Sequence, residues 1–482
     1  MKKPQTFLLI FVALLLFGMV APTNPGAKVT LTQPLFDKAV QVLLPYVEQE
    51  IKNIKIPDIS GDYSSPIGKI EYSISSVVLN SFNLGGASIK ITSTGFKITA
   101  SGGSFSMGAH WHWREHSWPH ISDSGSLTAK GSGITAVVDI VIGENAGKPT
   151  ITCSSATISI GSVKVDFHGG DSWLYNLFDG IIDKAIRKAV EKQFNSLVTK
   201  QINDAAVKFL ASIPFVMPIA KDVEVDYKLT SGLIFTPGKH FTIPSKAEFY
   251  YTPNPKEYTP GPVALPNIET SEMVQAFVSS FVSNSISKSF WETKAMYAVI
   301  TNNNLPAWFP YKMNTKDWKD LIPALYTAYP DRNMKVILQA DTWPKVEITS
   351  AGIQLSFVGS ANVNILADST HPEVQAFVLT ATGGCDVAVK VNSTAVFGTF
   401  SNLKTDVKLT KTNIGQFSLN SLQTIINLME TSVITPLIQK FVANGYPIPL
   451  PKGAALIDPK VIYHTGYFTI STSMTYVMSE EN

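Results

Sequence analysis

Residues Ser172–Ala211 read SWLYNLFDGIIDKAIRKAVEKQFNSLVTKQINDAAVKFLA, and this stretch decides the class of fold. Its apolar residues recur at the three- and four-residue spacing of one helix face. They are Trp173, Leu177, Phe178, Ile181, Ile182, Ala185, Ile186, Val190, Phe194, Val198, Ile202, Ala206 and Phe209. The segment spans about 40 residues, whereas an average helix has about three turns. We therefore expect this helix to lie along a large sheet.

Segments in which apolar and polar residues alternate precede the long helix, and they predict antiparallel strands. These segments are Lys69–Leu79, Ser88–Ile98, Ser126–Ile142 and Thr150–Phe167. Before them, Gln33–Asn53 carries apolar residues at helical spacing, with Pro45 as a predicted kink. The first half of the chain is thus predicted to run helix, strands, long helix.

The second half of the chain repeats this order. Helices are predicted over Thr270–Lys288 and over Leu419–Asn444, and Gly445 is placed to cap the second. Alternating segments between them predict strands at Ala295–Thr301, Met334–Asp341, Lys345–Phe357, Asn362–Ala367, Val374–Thr382, Cys385–Phe397 and Leu403–Leu409. The triplet Phe241-Thr242-Ile243 recurs as Phe468-Thr469-Ile470, 227 positions later. This organisation predicts an α+β protein with two pseudo-symmetric halves.

A proline-rich segment separates the two halves. Residues 251–269 contain prolines that favour a stiff, extended linker, namely Pro253, Pro255, Pro260, Pro262 and Pro266. We therefore predict an N-terminal domain over residues 28–250 and a C-terminal domain over residues 270–482.

The N-terminus predicts export. Lys2 and Lys3 precede the apolar run Phe7–Val20, which ends in small residues near Ala21. This pattern is typical of a secretory signal peptide, here residues 1–21. The run is shorter than the roughly 20 residues that span a bilayer. We expect a secreted protein, or one delivered to the endolysosomal lumen, with Asn392 in an N-glycosylation sequon.

The charge composition limits the choice of partners. Charged residues make up 16% of the chain, against about 25% in a typical soluble domain. The formal net charge is only +2, so a protein that coats nucleic acid is not supported.

The stretch His110–His120 reads HWHWREHSWPH and predicts a hairpin of unusual composition. Alternation places His110, His112, Arg114 and His116 on one side of a strand and Trp111 and Trp113 on the other. With Trp118, the hairpin combines aromatic rings with groups that gain charge as the pH falls. This chemistry suits the boundary between water and lipid. A second interpretation is a core strand with buried tryptophans and histidines that are merely polar.

The sequence contains no pattern that indicates an enzyme. It has no G-x-S-x-G elbow and no Gly-rich phosphate loop. His110, His112 and His116 form a passable face for zinc, but no cysteine or reliable carboxylate completes the set. We predict no catalytic residues, no metal ion and no cofactor.

Six short motifs occur in order over nearly the whole mature chain. They are Asn24–Gly26, Ile54–Asp58, Gly147–Ser155, Gly169–Tyr175, Leu305-Pro306 and Gly445–Pro451. In order and spacing they resemble the family of bactericidal/permeability-increasing protein, lipopolysaccharide-binding protein and the plasma lipid-transfer proteins.

The resemblance implies an elongated boomerang of two antiparallel barrels, each with a long amphipathic helix, joined by a central antiparallel sheet. Each half would hold phospholipid acyl chains in an apolar pocket between its helix and its barrel. Phe178, Ile182, Ile186 and Val190 would then face lipid. Packing of the protein core explains the same stripe equally well.

The resemblance also implies that the distal tip of the N-terminal barrel engages lipopolysaccharide, and the hairpin His110–His120 falls there. Lys69 and Lys148 are further candidates for headgroup contact. The bactericidal members place several Lys and Arg where this chain has histidines. Strong charge pairing with lipid A phosphates at neutral pH is therefore not expected, whereas insertion of aromatic rings is.

The cysteines depart from the family pattern. The resemblance implies a disulfide from Cys153 to the first long helix, but Asn195 stands at the expected helical position. Cys385, the other cysteine, lies in the opposite half. We therefore expect both thiols to be free and no disulfide to form.

These observations predict a monomeric lipid-binding protein. It would hold phospholipid, dock on membrane surfaces and bind bacterial lipopolysaccharide in innate defence. Two other functions fit the sequence as well: transfer of phospholipid or neutral lipid without a bacterial role, and delivery of lipid to a signalling partner.

Overall fold

The computed structural model describes residues 24–52, 55–65, 68–118, 120–145, 148–169, 175–212, 215–267, 272–436, 439, 445–448, 450 and 454–476. The predicted signal peptide lies outside the described residues. The chain divides into two compact units. Among the described residues, the first unit contains 30–212 and 232–243, and the second contains 24–29, 215–231 and 244–476. Both are built on antiparallel sheets with helices, so the α+β prediction is confirmed.

The strands of the first half are β1 (Ala27–Thr32), β2 (Ile59–Ser65), β3 (Gly68–Ile91), β4 (Gly95–Glu115), β5 (Ser122–Asn145), β6 (Lys148–Ser159), β7 (Ser162–His168), β8 (Val216–Ala220), β9 (Val223–Asp226), β10 (Ile234–Thr236), β11 (His240–Ser245) and β12 (Glu248–Tyr251). The helices are α1 (Gln33–Lys52) and α2 (Tyr175–Ser212). Both helices lie close to the predicted bounds.

The strands of the second half are β13 (Val274–Ser279), β14 (Tyr297–Ile300), β15 (Met334–Ala340), β16 (Lys345–Thr349), β17 (Gly352–Ile365), β18 (Val374–Val391), β19 (Ala395–Thr412), β20 (Tyr446–Pro447), β21 (Ala454–His464) and β22 (Tyr467–Tyr476). The helices are α3 (Ser280–Glu292), α4 (Pro323–Ala328) and α5 (Gln423–Met429), with short 3-10 turns at Asn302–Asn304 and Asn420–Leu422.

One antiparallel sheet, in the order β2-β3-β4-β5-β6, forms the body of the first unit. Its strand β5 is long enough to pair with β6 at one end and with β7 at the other. Helix α2 packs along β6 and β7, as its length predicts. Two strands predicted in the first half are wrong as single elements, and so are two in the second half, where Lys345–Phe357 is divided at Ser350-Ala351 and Cys385–Phe397 at Asn392–Thr394. A turn at Thr92–Gly95 divides Ser88–Ile98, and Ile160–Gly161 divides Thr150–Phe167.

Aromatic rings from three elements pack together at the end of this sheet where β4 begins. Phe36 of α1 lies 4.9 Å from Phe96 of β4, and Phe96 lies 5.4 Å from Phe241 of β11, measured between ring centroids. All three rings are buried. Edge-to-face and tilted contacts of this kind add to the free energy gained by burial.

The second unit contains three sheets. A seven-stranded sheet runs β14-β15-β17-β18-β19-β20 with β16 paired to β17, and β13, β22 and β21 pair in that order. The third sheet is β12-β9-β8. Ile348 and Ile353, at the β16–β17 hairpin, pack against Phe468 and Ile470 of β22. The large sheet therefore packs against β22 at the end that carries this hairpin.

The predicted helix Thr270–Lys288 is wrong in its first half. Met273 precedes β13, which pairs with β22 from Val274 to Ser279, and α3 begins only at Ser280. Both faces of β13 are covered, because Val274, Gln275 and Phe277 are all buried. A strand buried on both faces shows no alternation, so its apolar residues mimic a helical stripe.

The last long helix is less regular than predicted. Asn420–Leu422 forms a 3-10 turn, α5 follows, and Glu430–Ile434 is a π-turn. The buried carboxylate of Glu430, at the start of this turn, accepts a hydrogen bond from Thr405. The remainder, from Leu437 to Asn444, lies outside the described residues apart from Gln439.

The predicted domain boundary at residue 250 differs from the division into compact units. Residues 215–231 and 244–250 belong to the second unit, because β12 pairs with β9 and the Phe249 amide donates to Ser285 Oγ on α3 over 3.1 Å. Residues 252–267 contain no helix or strand, and their role as a linker stays a prediction. Among the described residues, no helix is both long and apolar enough to cross a membrane.

Candidate functional site

The hairpin between β4 and β5 is held to the sheet by backbone hydrogen bonds at its base. The Glu115 amide donates to Ile121 O and the His116 amide donates to Lys69 O, both over 2.9 Å. His120 has a φ of +57°, a left-handed conformation that turns the chain back into β5. Pro119 lies outside the described residues. The hairpin therefore projects beyond the end of the sheet on a fixed base.

Alternation along β4 divides the hairpin as the sequence predicts. His110, His112 and Arg114 are exposed, while Trp111 and Trp113 are 6% and 3% exposed and face the interior. The Trp111 indole donates to Ser126 O over 2.9 Å and meets the Phe167 ring edge-on. The prediction that Trp111 and Trp113 contact lipid at the surface is therefore wrong, because both rings are buried on the inward face of the sheet.

Trp118 is the tryptophan that this hairpin presents to solvent. Its side chain is 87% exposed, and the neighbouring Ile121 is 47% exposed. Gly68 lies beneath the turn with a φ of +130°, and a Cβ there would come within 2.7 Å of Ser117 Oγ and Glu115 Oε1. Because Gly68 has no side chain, the turn can pack closely against the start of β3. Trp118 is left exposed to solvent.

The fixed charges on the exposed face at this end of the sheet balance, while Glu115 and the half-buried Asp123 lie on the inward face with Trp113. Lys69 Nζ lies 2.9 Å from Asp62 Oδ2, and His116 Nε2 lies 3.3 Å from Glu71 Oε2. Arg114 stands opposite Glu71 in the register of β3 and β4. Two permanent cations thus face two exposed carboxylates, and a net positive charge here depends on protonation of the histidines.

A further histidine joins this surface that the sequence analysis did not single out. His168, the last residue of β7, stands opposite Ser126, and Ser126 stands opposite His110 on its other side. His168 is exposed, like both of these neighbours. The signal in the sequence was the alternation Val163, Val165, Phe167, which turns His168 outward.

Lys148 does not belong to this surface. It pairs with Asn145 in the β5–β6 hairpin, whereas the Trp-rich hairpin meets β5 at Ser122. The 23 residue steps from Ser122 to Asn145 in β5 span roughly 75 Å of strand at about 3.3 Å per residue. The prediction that Lys148 shares a contact surface with Lys69 is therefore wrong. The two lysines lie at opposite ends of the sheet.

The candidate pocket residues lie on α2. Ile182 and Ile186 are buried between the helix and the sheet, and Val190 is half-buried. Arg187 fixes this part of the helix, because it donates to Gly161 O and pairs with Asp183, both over 3.2 Å. The side chain of Phe178 lies outside the described residues. Lipid contact by these residues stays a prediction.

Both cysteines are free and buried. Cys153 faces α2 at Thr199 Oγ1, 3.9 Å from its sulfur, and its amide donates to Asn203 Oδ1. Asn195 is exposed, so the helical position opposite Cys153 lies about one turn beyond the position that the resemblance implied. Burial raises the pKa of the Cys385 thiol to about 11.

Two further predictions concern glycosylation at the sequon and the absence of a metal ion. Asn392 is exposed in the turn between β18 and β19, where its Oδ1 accepts hydrogen bonds from the amides of Thr394 and Ala395. Glycosylation of Asn392 stays a prediction. Within the described parts of the chain, no three His, Cys, Asp or Glu side chains are grouped to hold a metal ion.

In the first unit a long helix packs along an antiparallel sheet, and the second unit also combines antiparallel sheets with helices. The profile of the LBP / BPI / CETP family N-terminal domain matches residues 36–207, and that of the C-terminal domain matches residues 218–476. The chain belongs to this family. The gap between the two profiles contains the boundary of the compact units near residue 214.

Full-length relatives extend the match. The chain is 27% identical to the bactericidal permeability-increasing protein of Sebastes schlegelii, over 96% of this chain and 97% of that one. It is 24% identical to human lipopolysaccharide-binding protein, over 94% of each chain. A crystal structure of lipopolysaccharide binding protein superposes with a TM-score of 0.65 at 22% identity, over 95% of this chain and all of that one. This last similarity shows the shared fold.

Proposed function

We propose that this protein is exported, holds phospholipid in apolar pockets and binds bacterial lipopolysaccharide at the β4–β5 hairpin. The observation that carries the proposal is the division of the hairpin into two faces. Trp111 and Trp113 are buried on the inward face of the sheet, whereas Trp118, Arg114 and the histidines are exposed to solvent. Such a hairpin can insert an aromatic ring among acyl chains while its polar groups remain at the headgroup level.

The family relationship supports the ligand class. One full-length relative is named a bactericidal permeability-increasing protein and another a lipopolysaccharide-binding protein. Acyl chains buried between α2 and the sheet would gain about 0.8 kcal/mol per methylene group. We propose that the protein acts by sequestering lipid and has no catalytic step. It would work as a monomer on membrane surfaces in an extracellular or endolysosomal compartment.

The second candidate function is transfer of phospholipid or neutral lipid without a bacterial role. It is favoured by the balance of Lys69 and Arg114 against Asp62 and Glu71. Lipid A carries phosphates, so a hairpin without net charge has little preference for it over a zwitterionic surface at neutral pH.

Two measurements separate these functions. Native mass spectrometry of the purified protein should release diacyl phospholipid, and a lipid-free protein would remove the pocket proposal. Binding to lipopolysaccharide aggregates is then compared with binding to phosphatidylcholine vesicles at equal lipid. A clear preference for lipopolysaccharide supports the first function, whereas equal binding with transfer of labelled phospholipid between vesicles supports the second.

A further inference from the structure

A second exposed tryptophan lies in the other family domain. Trp308 is 63% exposed, and Trp118 and Trp308 are the exposed tryptophans of the described residues. Trp308 belongs to the segment Asn302–Asp320, which leaves β14 after Ile300 and lies before β15 begins at Met334. The strands of the large sheet that follow also end or begin here, at Ile365 and Val374. This is the end opposite the β16–β17 hairpin.

The segment Asn302–Asp320 is anchored firmly, so the exposure of Trp308 is not the result of a loose loop. The Met313 amide donates to Asn302 Oδ1 over 2.6 Å, and the Lys312 amide donates to Asp317 Oδ2 over 3.0 Å. Phe309, next to Trp308, is buried in the core of the sheet.

A second tryptophan in the same segment shows the contrast. Trp318 is 6% exposed, and its indole donates to Lys312 O over 3.1 Å. The indole N–H of Trp318 is therefore hydrogen-bonded within the fold, whereas the side chain of Trp308 is exposed to solvent. Exposed Ala307 and Pro310 flank the outward ring, which gives a small apolar point.

The charges around this point balance. Lys312, Lys316 and Lys319 are exposed, as are Asp320 and Asp331, while Asp317 is half-buried. In the described structure none of these three lysines has an ion pair. The remaining carboxylates at this end are neutralised, because Asp368 pairs with Arg332 over 3.0 Å and Glu373 pairs with Lys335 over 2.8 Å.

We infer that Trp308 forms a second lipid contact, which inserts into the headgroup layer of a zwitterionic phospholipid surface. Interspersed lysines and aspartates complement the phosphate and choline groups of that layer, and tryptophan is favoured at this depth. The apolar point is too small for a protein interface, since a stable one buries about 800 Å² per partner and a tryptophan side chain supplies at most about 250 Å². This inference is independent of lipopolysaccharide binding at the β4–β5 hairpin.

The test measures binding of the full mature chain to phosphatidylcholine vesicles by co-sedimentation. Trp308→Ala, made in a Trp118→Ala background, should weaken binding about tenfold, as expected for removal of about 60 Å² of inserted apolar surface. Tyr297→Ala is the matched control, because Tyr297 is an exposed aromatic on β14 of the same sheet. Equal binding with and without Trp308→Ala in that background would overturn the inference.

A second readout reports insertion directly. Brominated phosphatidylcholine should quench less of the total fluorescence in Trp308→Phe than in the wild type, and Tyr297→Ala should leave quenching unchanged. Because the surrounding charges balance, the affinity should change less than about twofold between 0.1 M and 0.5 M salt. Unchanged quenching in Trp308→Phe, or self-association that Trp308→Ala abolishes without an effect on vesicle binding, would contradict a lipid contact.

Discussion

The indole of Trp111 lies over Gly125, its cross-strand partner on β5. A Cβ on Gly125 would meet Trp111 Cε2 at 2.9 Å and His168 O at 2.3 Å. Glycine is therefore required here, because any side chain would displace the ring that fills the interior. We expect Gly125→Ala to destabilise the protein, and Trp111→Ala to lower the free energy of unfolding by about 3–5 kcal/mol.

Thermal or urea unfolding measures both changes. Gly86→Ala is the matched control. Gly86 is a strand glycine of the same sheet, its φ is not left-handed, and the position that a Cβ would occupy is open. If Trp111→Ala unfolds like the wild type, the ring does not pack in the interior and the surface interpretation of the hairpin returns.

Trp118→Ala should separate binding from stability. Trp118 is almost fully exposed, so its removal should leave the unfolding transition unchanged. Loss of about 60 Å² of inserted ring, at about 25 cal/mol per Å², corresponds to about tenfold weaker binding to lipopolysaccharide or vesicles. The buried Trp113 is the comparison, because Trp113→Ala should reduce stability first. Unchanged affinity in Trp118→Ala would exclude this tryptophan as an anchor.

The sequence predicted the faces of the hairpin but not which face meets lipid. Period-two alternation separates His112 from Trp113 whichever side is buried. The glycines that accept the aromatic rings decide the direction: Gly125 receives Trp111, and Gly131 receives Phe105. These partners are 14 and 26 residues apart in the chain, so the pairing depends on the register of β4 and β5. No local pattern encodes it.

The errors in secondary structure have similar causes. β13 reads as a helix because neighbours bury both of its faces, and that depends on β22, about 190 residues later. Lys148 was grouped with Lys69 by resemblance, whereas the length of β5 places the two at opposite ends. In contrast, α2 was predicted closely because its stripe is long and local.

Both thiols should be unreactive in the folded protein. The thiolate is the reactive form of cysteine, and burial raises the pKa of both Cys153 and Cys385, the latter to about 11. At pH 8 about one Cys385 side chain in a thousand is then ionised. Ellman's reagent should find no reactive thiol in the native protein within minutes and two after unfolding in denaturant without reductant. No thiol after unfolding would reveal a disulfide and contradict the free state.

Lipid binding should strengthen as the pH falls. Histidine is the side chain whose charge changes most readily in the physiological pH range, and the hairpin presents four of them to solvent: His110, His112, His116 and His120. The charged and titratable groups around them are Lys69, Arg114, His168, Asp62, Glu71, the half-buried Asp123 and the buried Glu115, and Glu71 lies 3.3 Å from His116 Nε2. Lipid phosphates remain anionic between pH 7.4 and pH 5. Added positive charge on the hairpin should therefore increase the affinity for lipid as the pH falls.

The expected change is roughly tenfold or more, at about 1 kcal/mol per cation near an anionic surface, and it should shrink as salt is added. Binding to lipopolysaccharide and to anionic vesicles is measured at pH 5 and pH 7.4, for the wild type and for the variant with His→Gln at all four positions. His371→Gln is the matched control, because His371 is an exposed histidine of the second unit. The four-fold variant should lose most of this pH dependence, and a further His168→Gln change should remove the remainder. A wild-type protein that binds equally at both pH values would leave Trp118 as the anchor of the hairpin and remove any role for protonation.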